Sequence, residues 1–344
     1  MFVGISFSGE ILIELEVIMP AVEMDSLQAE VTERKLRLEA AVAVAPHDEN
    51  LRSLLREVDS ALDRMARGTY GLCEECHDSI EKDRLLANPL VRYCLDHLNR
   101  AERDALQRDL DLATQLQIKL LPPSAMCACG WDTSYHYAPL GAVSGDYCDL
   151  IEHDGSLFFF LGDVSGKGIA ASLLMTQIHA LFRNYLSMGI PLSLAVAHVN
   201  RSFCEKLLTG HYITIVCGQA KPNGDVEIYN AGHPPVIVTN RDNVLLLEST
   251  GVPLGLFQEA NPPATKLQLE AGDTLFLYTD GLSEACCEDD EYGVDRLTKL
   301  MGKHRRLSPT ELVAVCLNDL AEFTGTTPRS DDLTLLALQR TAAA

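Results

Sequence analysis

Four acidic clusters stand beside glycines or at the ends of apolar runs in the second half of this sequence. They are Gly145-Asp146-Tyr147-Cys148-Asp149, Gly162-Asp163-Val164-Ser165-Gly166, Thr279-Asp280-Gly281 and Ser330-Asp331-Asp332. Taken singly, an aspartate next to glycine reads as a turn. Two features move the set toward ligand chemistry. Asp163 and Asp280 follow the apolar runs 157–161 and 274–278, and Asp331-Asp332 precede the run 333–338, so carboxylates stand at the ends of expected buried strands. Hard oxygen ligands converging from strand ends suit Mg²⁺ or Mn²⁺.

A second set of ligand-type residues lies earlier. Cys73-x2-Cys76 is followed seventeen residues later by Cys94-x2-His97, the spacing of a closed tetrahedral zinc site built from two knuckles. The segment between holds few apolar residues and needs a metal to fold. His97 is the fourth ligand by spacing, with His77, Cys127 and Cys129 as alternatives.

Two other motifs are weighed and set aside. Gly162 to Gly168 has three residues between its first glycine and Gly166, and a glycine after Lys167, whereas a phosphate loop needs four residues and then Ser or Thr after its lysine. These glycines instead turn the chain from strand to helix. His233, in Ala-Gly-His-Pro-Pro, reads as a structural residue of a turn rather than a general acid. No cysteine sits in an anion-binding loop with a following arginine, so thiol nucleophilic chemistry is not expected.

The elements that must position these groups follow from hydrophobic spacing. Residues 21–45 and 51–67 carry apolar side chains at helical intervals, interrupted by Pro46 with Asp48 as a cap, and predict a helical hairpin. Residues 101–121 form a charged helix bearing Leu106, Leu110, Ala113, Leu116 and Leu120, ended by Pro122-Pro123. Its short seam allows either a homodimer through this helix or packing against its own chain. Beyond Pro123, β-like runs are expected at 157–161, 212–217, 226–229, 236–238, 244–247, 274–278 and 333–338. Helices are expected at 168–186, 192–208, 295–301 and 309–323. Strands joined by hairpins, with Asn223-Gly224 as one turn and two consecutive helices inserted, predict an α+β fold of antiparallel sheets rather than alternating βαβ units. The chain thus divides into a hairpin (21–67), a zinc ribbon (68–100), a linker helix (101–121) and a larger domain (122–340).

Composition bounds the function. With 344 residues, 47% of them hydrophobic, the chain can bury about two cores. A formal charge of −21, with an acidic excess on both sides of Pro122, repels a phosphate backbone and argues against direct nucleic-acid binding. No apolar stretch is long enough for a membrane span, and the opening 1–18 has no basic leader; this segment carries no expected function, and Met19 could be the genuine start. Eleven cysteines without an export signal predict reduced thiols, metal ligation and a cytoplasmic location.

Two resemblances add to this reading. Gly68-Thr69-Tyr70-Gly71-Leu72-Cys73-Glu74-Glu75-Cys76, with Ile80, Arg84-Leu85, Pro89 and Cys94, resembles the zinc finger of the DksA/TraR regulators, a family that usually has a cysteine where this chain has His97. Members can insert a hairpin into RNA polymerase through acidic residues at its tip. The turn Ala45-Pro46-His47-Asp48-Glu49-Asn50 lacks that aspartate pair, so this activity is not carried over.

The aspartate series resembles the PPM (type 2C) phosphatase domain in its SpoIIE/RsbU branch. The resemblance rests on Gln115-Leu116-Gln117, Leu120-Leu121-Pro122, Ser144-Gly145-Asp146-Tyr147-Cys148-Asp149, Gly162 to Gly168, Asn230-Ala231-Gly232-His233-Pro234-Pro235, Tyr278-Thr279-Asp280-Gly281-Leu282 and Asp331-Asp332-Leu333-Thr334. It implies an α-β-β-α sandwich with two Mn²⁺ or Mg²⁺ ions. It implies hydrolysis of phosphoserine or phosphothreonine on a protein by a hydroxide bridging the two ions, and a phosphorylated anti-sigma-factor antagonist as the kind of partner. On the same resemblance Asp146 and Asp163 bridge the metals, Val164 offers its carbonyl, and Asp280 and Asp331 complete the coordination. Ser144 and Cys148 replace the family's usual glycine and aromatic. A rival from another class is an RNA-polymerase-binding regulator with a non-catalytic C-terminal domain.

Overall fold

The computed structural model describes residues 21–97, 100–206, 211–259, 261–287 and 290–342. The opening segment 1–20 and the far end of the helix expected over 192–208 lie outside the described residues. The chain separates into two compact units, 1–107 and 108–344.

In the first unit α1 (Ala21–Val44) and α2 (Glu49–Ala66) form the expected hairpin. Asp48 caps α2, its carboxylate accepting from the backbone N–H of Asn50 (2.9 Å) and Leu51 (3.2 Å). The helices close on Val31, Val58 and Ala61, and Lys35 pairs with Asp59 across them at 2.7 Å. Below the hairpin, Leu27, Tyr70, Ile80 and Leu85 pack around Cys73 and Cys94, with the short α3 (Lys82–Ala87) supplying Leu85. Arg64 of α2 is buried there, donating to the carbonyls of Leu90 (3.4 Å) and Val91 (3.0 Å), which fastens the ribbon to the hairpin. Helix α4 (Arg100–Ile118) follows and runs across the boundary of the two units.

The second unit is a sandwich. Strands β1 (Ala125–Ala128) and β2 (Trp131–Ala138) open it, followed by the hairpin β3 (Tyr147–His153) and β4 (Ser156–Val164). Helices α5 (Gly168–Ser187) and α6 (Leu192–Lys206) come next. Then come β5 (Ile213–Ala220), β6 (Asp225–Ala231), β7 (Val236–Thr239), β8 (Val244–Leu247), β9 (Thr265–Gln268) and β10 (Thr274–Tyr278). The short α7 (Asp280–Ser283), the two-residue strands β11 (Cys286–Cys287) and β12 (Asp290–Glu291), α8 (Val294–Lys303), α9 (Pro309–Thr324) and β13 (Leu333–Arg340) complete it.

One sheet has the order β1-β2-β13-β10-β7-β8, the other β3-β4-β5-β6-β9, and every pairing in them is antiparallel. The period-2 alternation of side chains explains the layers. Along β4, Leu157, Phe159 and Leu161 enter the core between the sheets, where Leu275, Leu277, Leu336 and Leu338 of β10 and β13 meet them. The alternate Phe158 and Phe160 face outward and are covered by Met175, Ile178 and Phe182 of α5 and by Val196 and Val199 of α6. On the other sheet Phe276, Tyr278, Leu335 and Ala337 are covered by Leu297 of α8 and by Leu312, Cys316 and Leu320 of α9. This is the antiparallel α+β fold that the hydrophobic spacing predicts, in the α-β-β-α layers that the family resemblance implies. Among the described residues no helix is long and apolar enough to cross a membrane.

Candidate functional site

Register brings the aspartates together. In the β3–β4 hairpin Tyr147 pairs with Gly162, so the next residues outward, Asp146 and Asp163, face each other at the open end of the five-stranded sheet. In the β10–β13 pair Tyr278 lies opposite Leu335. One step further the Thr279 N–H donates to the Thr334 carbonyl at 3.0 Å, and Asp280 follows close to Asp331 and Asp332 at the same end of the other sheet. Gly281 makes this approach possible, because a Cβ there would stand 1.8 Å from the Asp332 carbonyl oxygen. Gly145 lets the ends of β3 and β4 close up within their own sheet: a methyl on it would lie 3.1 Å from the Val164 carbonyl oxygen and 3.4 Å from Asp163 Oδ1.

The electrostatics record the crowding. Asp146 is 1% exposed, and burial together with the neighbouring Asp163 carboxylate pushes it well above the usual range. Burial, then the charges of Asp280, Asp331 and Asp332, raise Asp163 to about 7, with Lys167 opposing. Asp280 is raised by burial and then by Asp331. Such mutual repulsion is what a multivalent cation relieves.

Hydroxyls and a second carboxylate hold the ring in place; sequence reasoning gave the hydroxyls no supporting role and read Asp332 only as one of the clustered strand-end acids. Asp146 Oδ2 accepts from Thr279 Oγ1 (3.1 Å) and from Thr334 Oγ1, so a residue of one sheet is gripped by two residues of the other. Asp332 accepts from the Leu140 N–H (2.6 Å), Ser144 Oγ (2.6 Å) and the Gly145 N–H (3.1 Å). Ser144 Oγ in turn accepts from the Asp146 N–H at 2.9 Å. From α4 the buried Gln117 donates its amide to the Ser144 carbonyl (2.8 Å) and accepts from the Ser144 N–H (2.9 Å), while Thr114 donates to the Ala142 carbonyl at 2.6 Å. The one available signal was the run of hydroxyl residues beside each motif aspartate: Ser144, Thr279 and Thr334.

Not every acid of the motif strings joins the ring. Asp149, in the first string, is fully buried and bound by Arg183 of α5 at 2.8 and 2.6 Å. His233 lies 3.0 Å from Thr214 Oγ1, and burial pulls its imidazole down to about 3, so it is neutral near pH 7 and unsuited to donate a proton to a leaving group.

In the first unit the ligand atoms of Cys73, Cys76, Cys94 and His97 all lie within 4.8 Å of one another. Cys76 and Cys94 sulfurs are 3.7 Å apart, and His97 Nδ1 is 3.1 Å from Cys94 Sγ. His77, Cys127 and Cys129 are not in the group. A backbone N–H of Cys73 bonded to the Asp78 carbonyl (2.8 Å) and one of His77 bonded to the Cys73 carbonyl (3.0 Å) shape the first knuckle. Among the described residues this is the one such group so tightly gathered.

Two antiparallel sheets, paired outer helices and carboxylates at the strand ends define a PP2C-type phosphatase fold. The SiaA-PP2C domain of Pseudomonas aeruginosa shares it with a TM-score of 0.62 at 19% identity, over 70% of this chain and 99% of that one. The RsbU and RsbW domains of a Mycobacterium tuberculosis protein align with a TM-score of 0.57 at 28% identity, over 65% of this chain and 62% of that one. Residues 153–341, more than half of the chain, match the family described as stage II sporulation protein E (SpoIIE), and the chain belongs to that family. Residues 68–103 match the prokaryotic dksA/traR C4-type zinc finger.

Among curated relatives, the phosphoserine phosphatase RsbU of Bacillus subtilis is 27% identical over 244 residues, covering 70% of this chain and 72% of RsbU. The protein IcfG of a Synechocystis species is 26% identical over 270 residues, covering 69% of this chain. The chain spans only 42% of IcfG.

Proposed function

We propose that this chain is a metal-dependent protein serine/threonine phosphatase that removes phosphate from phosphoserine or phosphothreonine on a regulatory protein. The observation that carries the reading is the convergence of Asp146, Asp163, Asp280 and Asp331 from strand ends of both sheets, with Asp163 raised to about 7 by burial and then by the neighbouring carboxylates. The donor set is all oxygen, which suits hard Mn²⁺ or Mg²⁺ ions rather than a softer one. Asp146, Asp163, Asp280 and Asp331, together with the Val164 carbonyl, would hold the ions, Asp146 and Asp163 as the ligands shared between them. Bound there, such ions supply a lowered pKa for water and neutralise charge on the phosphoryl oxygens.

The protein's own groups do the positioning. Thr279 and Thr334 leave Asp146 one free carboxylate oxygen, and Asp332 fixes the loop on which Asp146 stands. Cys73, Cys76, Cys94 and His97 would hold one structural Zn²⁺, for which three sulfurs and an imidazole are the matched donors.

The substrate we favour is a phosphorylated anti-sigma-factor antagonist, supported by the likeness to the phosphoserine phosphatase RsbU. Eleven unpaired cysteines support a cytoplasmic location. Helix α4 offers a dimer surface: Leu112 and Leu116 are 56% exposed, while Leu110, Ala113 and Gln117 turn toward their own unit.

Phosphate release from a phosphoserine peptide tests the activity. Wild-type protein should turn over with Mn²⁺ and stop with EDTA. Asp163→Asn and Asp280→Asn should each lose at least about tenfold, since each removes charge stabilisation worth several kcal/mol. More than a tenth of wild-type activity in both variants would contradict the metal assignment.

A further inference from the structure

We infer that the Lys167 ammonium competes with a divalent cation for Asp331 and so sets how tightly the metal site fills. The inference rests on the metal-dependent reading above. Lys167 stands on the turn from β4 to α5, between Gly166 (φ 100°) and Gly168 (φ 73°). Its Nζ lies 3.0 Å from Asp331 Oδ2 and donates to the Ser330 carbonyl at 2.8 Å, so both bonds hold the same two-residue stretch.

A lysine ammonium and a divalent ion repel each other at this range, and Asp331 Oδ1 already accepts from the Asp332 N–H at 2.9 Å, so Oδ2 is the oxygen for which both compete. Filling of the position at Asp331 therefore requires Nζ to leave, and the strength of the Lys167–Asp331 pair is subtracted from the affinity of the ion that replaces it. The exchange is easy for the protein. The Lys167 side chain is 61% exposed and that of Asp331 41%, and a four-carbon stem can swing into solvent without moving the backbone. An ion pair this exposed is a weak competitor, which makes the expected effect moderate rather than absolute. In the metal-free site the lysine keeps Ser330 and Asp331 in place; in the filled site it is displaced.

The nearby Arg329 supplies the control. It is two residues from Asp331, yet its guanidinium donates to the carbonyls of Ala138 (2.7 Å) and Pro139 (3.1 Å). It contributes positive charge to the neighbourhood without occupying the ligand.

The test is calorimetric titration of Mn²⁺ into the full chain, its zinc retained and loosely held ions removed by gel filtration. Wild type, Lys167→Gln, Lys167→Arg and Arg329→Gln are compared. Lys167→Gln should bind at least one of the two ions about three- to fivefold more tightly, while Lys167→Arg and Arg329→Gln stay within about twofold of wild type. An unchanged or weaker Mn²⁺ affinity in Lys167→Gln overturns the inference. So does an equal gain in Arg329→Gln, which would show a diffuse charge effect, or in Lys167→Arg. Wild-type protein that takes up no Mn²⁺ overturns the metal reading and this inference with it. Two ions bound, with Lys167→Gln unchanged, overturns the inference alone.

Discussion

Truncating Gln117 to alanine removes a buried amide that holds one backbone residue at both ends. Gln117 is 6% exposed and Ser144 is fully buried, so the Ser144 N–H and carbonyl lose partners at 2.9 and 2.8 Å with little access to water. Each buried backbone group left unpaired costs about 1–3 kcal/mol. The expected destabilisation for the two groups is therefore about 2–6 kcal/mol, reduced toward the lower figure if water enters the space left by the side chain. Catalysis should suffer as well, because Ser144 is the link between Asp332 and the Asp146 N–H. A loop freed by even 1 Å there can cost on the order of a hundredfold in rate. Urea unfolding reports the first quantity; Mn²⁺-dependent phosphate release at saturating metal reports the second. Gln117→Glu is an informative companion, since it keeps the acceptor for the Ser144 N–H but sets a carboxylate oxygen against the Ser144 carbonyl. A Gln117→Ala loss below about 0.5 kcal/mol, with turnover within twofold of wild type, would refute the idea that α4 steadies the loop bearing Asp146.

Gly281→Ala places a methyl 1.8 Å from the Asp332 carbonyl oxygen, so the backbone must part by more than an ångström. Turnover should fall about a hundredfold and stability by about 1–3 kcal/mol, and activity within tenfold of wild type would count against it. For pH, Asp163 is protonated in the metal-free fold until about 7. The stability it confers is complete below its unfolded pKa near 4 and is lost as pH rises through about 7. Metal-free wild type should therefore lose thermal stability relative to Asp163→Asn between those pH values, and added Mn²⁺ should flatten the slope; a difference that grows in wild type's favour with pH would be the wrong sign. Elemental analysis should find one zinc per chain in the wild type and none in Cys73→Ser/Cys76→Ser, and a wild type without zinc ends the ribbon assignment. A flexible Gly-Ser insertion after Arg108 interrupts α4 and should alter basal turnover or its response to loss of zinc; unchanged behaviour in both would show that α4 transmits nothing.

The apolar strands were legible because burial on both faces writes itself as an unbroken run. Residues 157–161 and 274–278 are instances, each sandwiched between the inter-sheet core and a helix layer. Strand β2 escaped sequence reading because Trp131–Ala138 carries Asp132, Thr133, Ser134 and His136, and its buried polar positions look like loop. Strand β3 escaped for a related reason. Asp149 reads as a turn acid until Arg183, thirty-four residues away on α5, is seen to neutralise it. Three members of the aspartate ring were readable, since Asp163, Asp280 and Asp331 are tied to the ends of visible strands; Asp146, at the head of the unread β3, was legible only through its motif string. The supports of the ring were not. Gln117 reaches Ser144 across 27 residues and Asp332 reaches it across 188, and no local pattern encodes such pairings.

Asp146 and Asp163 belong to one sheet, while Asp280 and Asp331 belong to the other. The site is thus a seam, and whatever neutralises it also rivets the two halves of the sandwich at that end. Without metal, like charges act as a wedge there, resisted by the Thr279 and Thr334 hydroxyls on Asp146 and by Asp332 on Ser144 and Gly145. Chelation should make this end breathe first, with faster amide exchange at the mouths of β3, β4, β10 and β13 than at their far ends. Metal supply would then govern the lifetime of the folded protein as well as its turnover, because an ion that binds only the closed sandwich draws the whole population toward it.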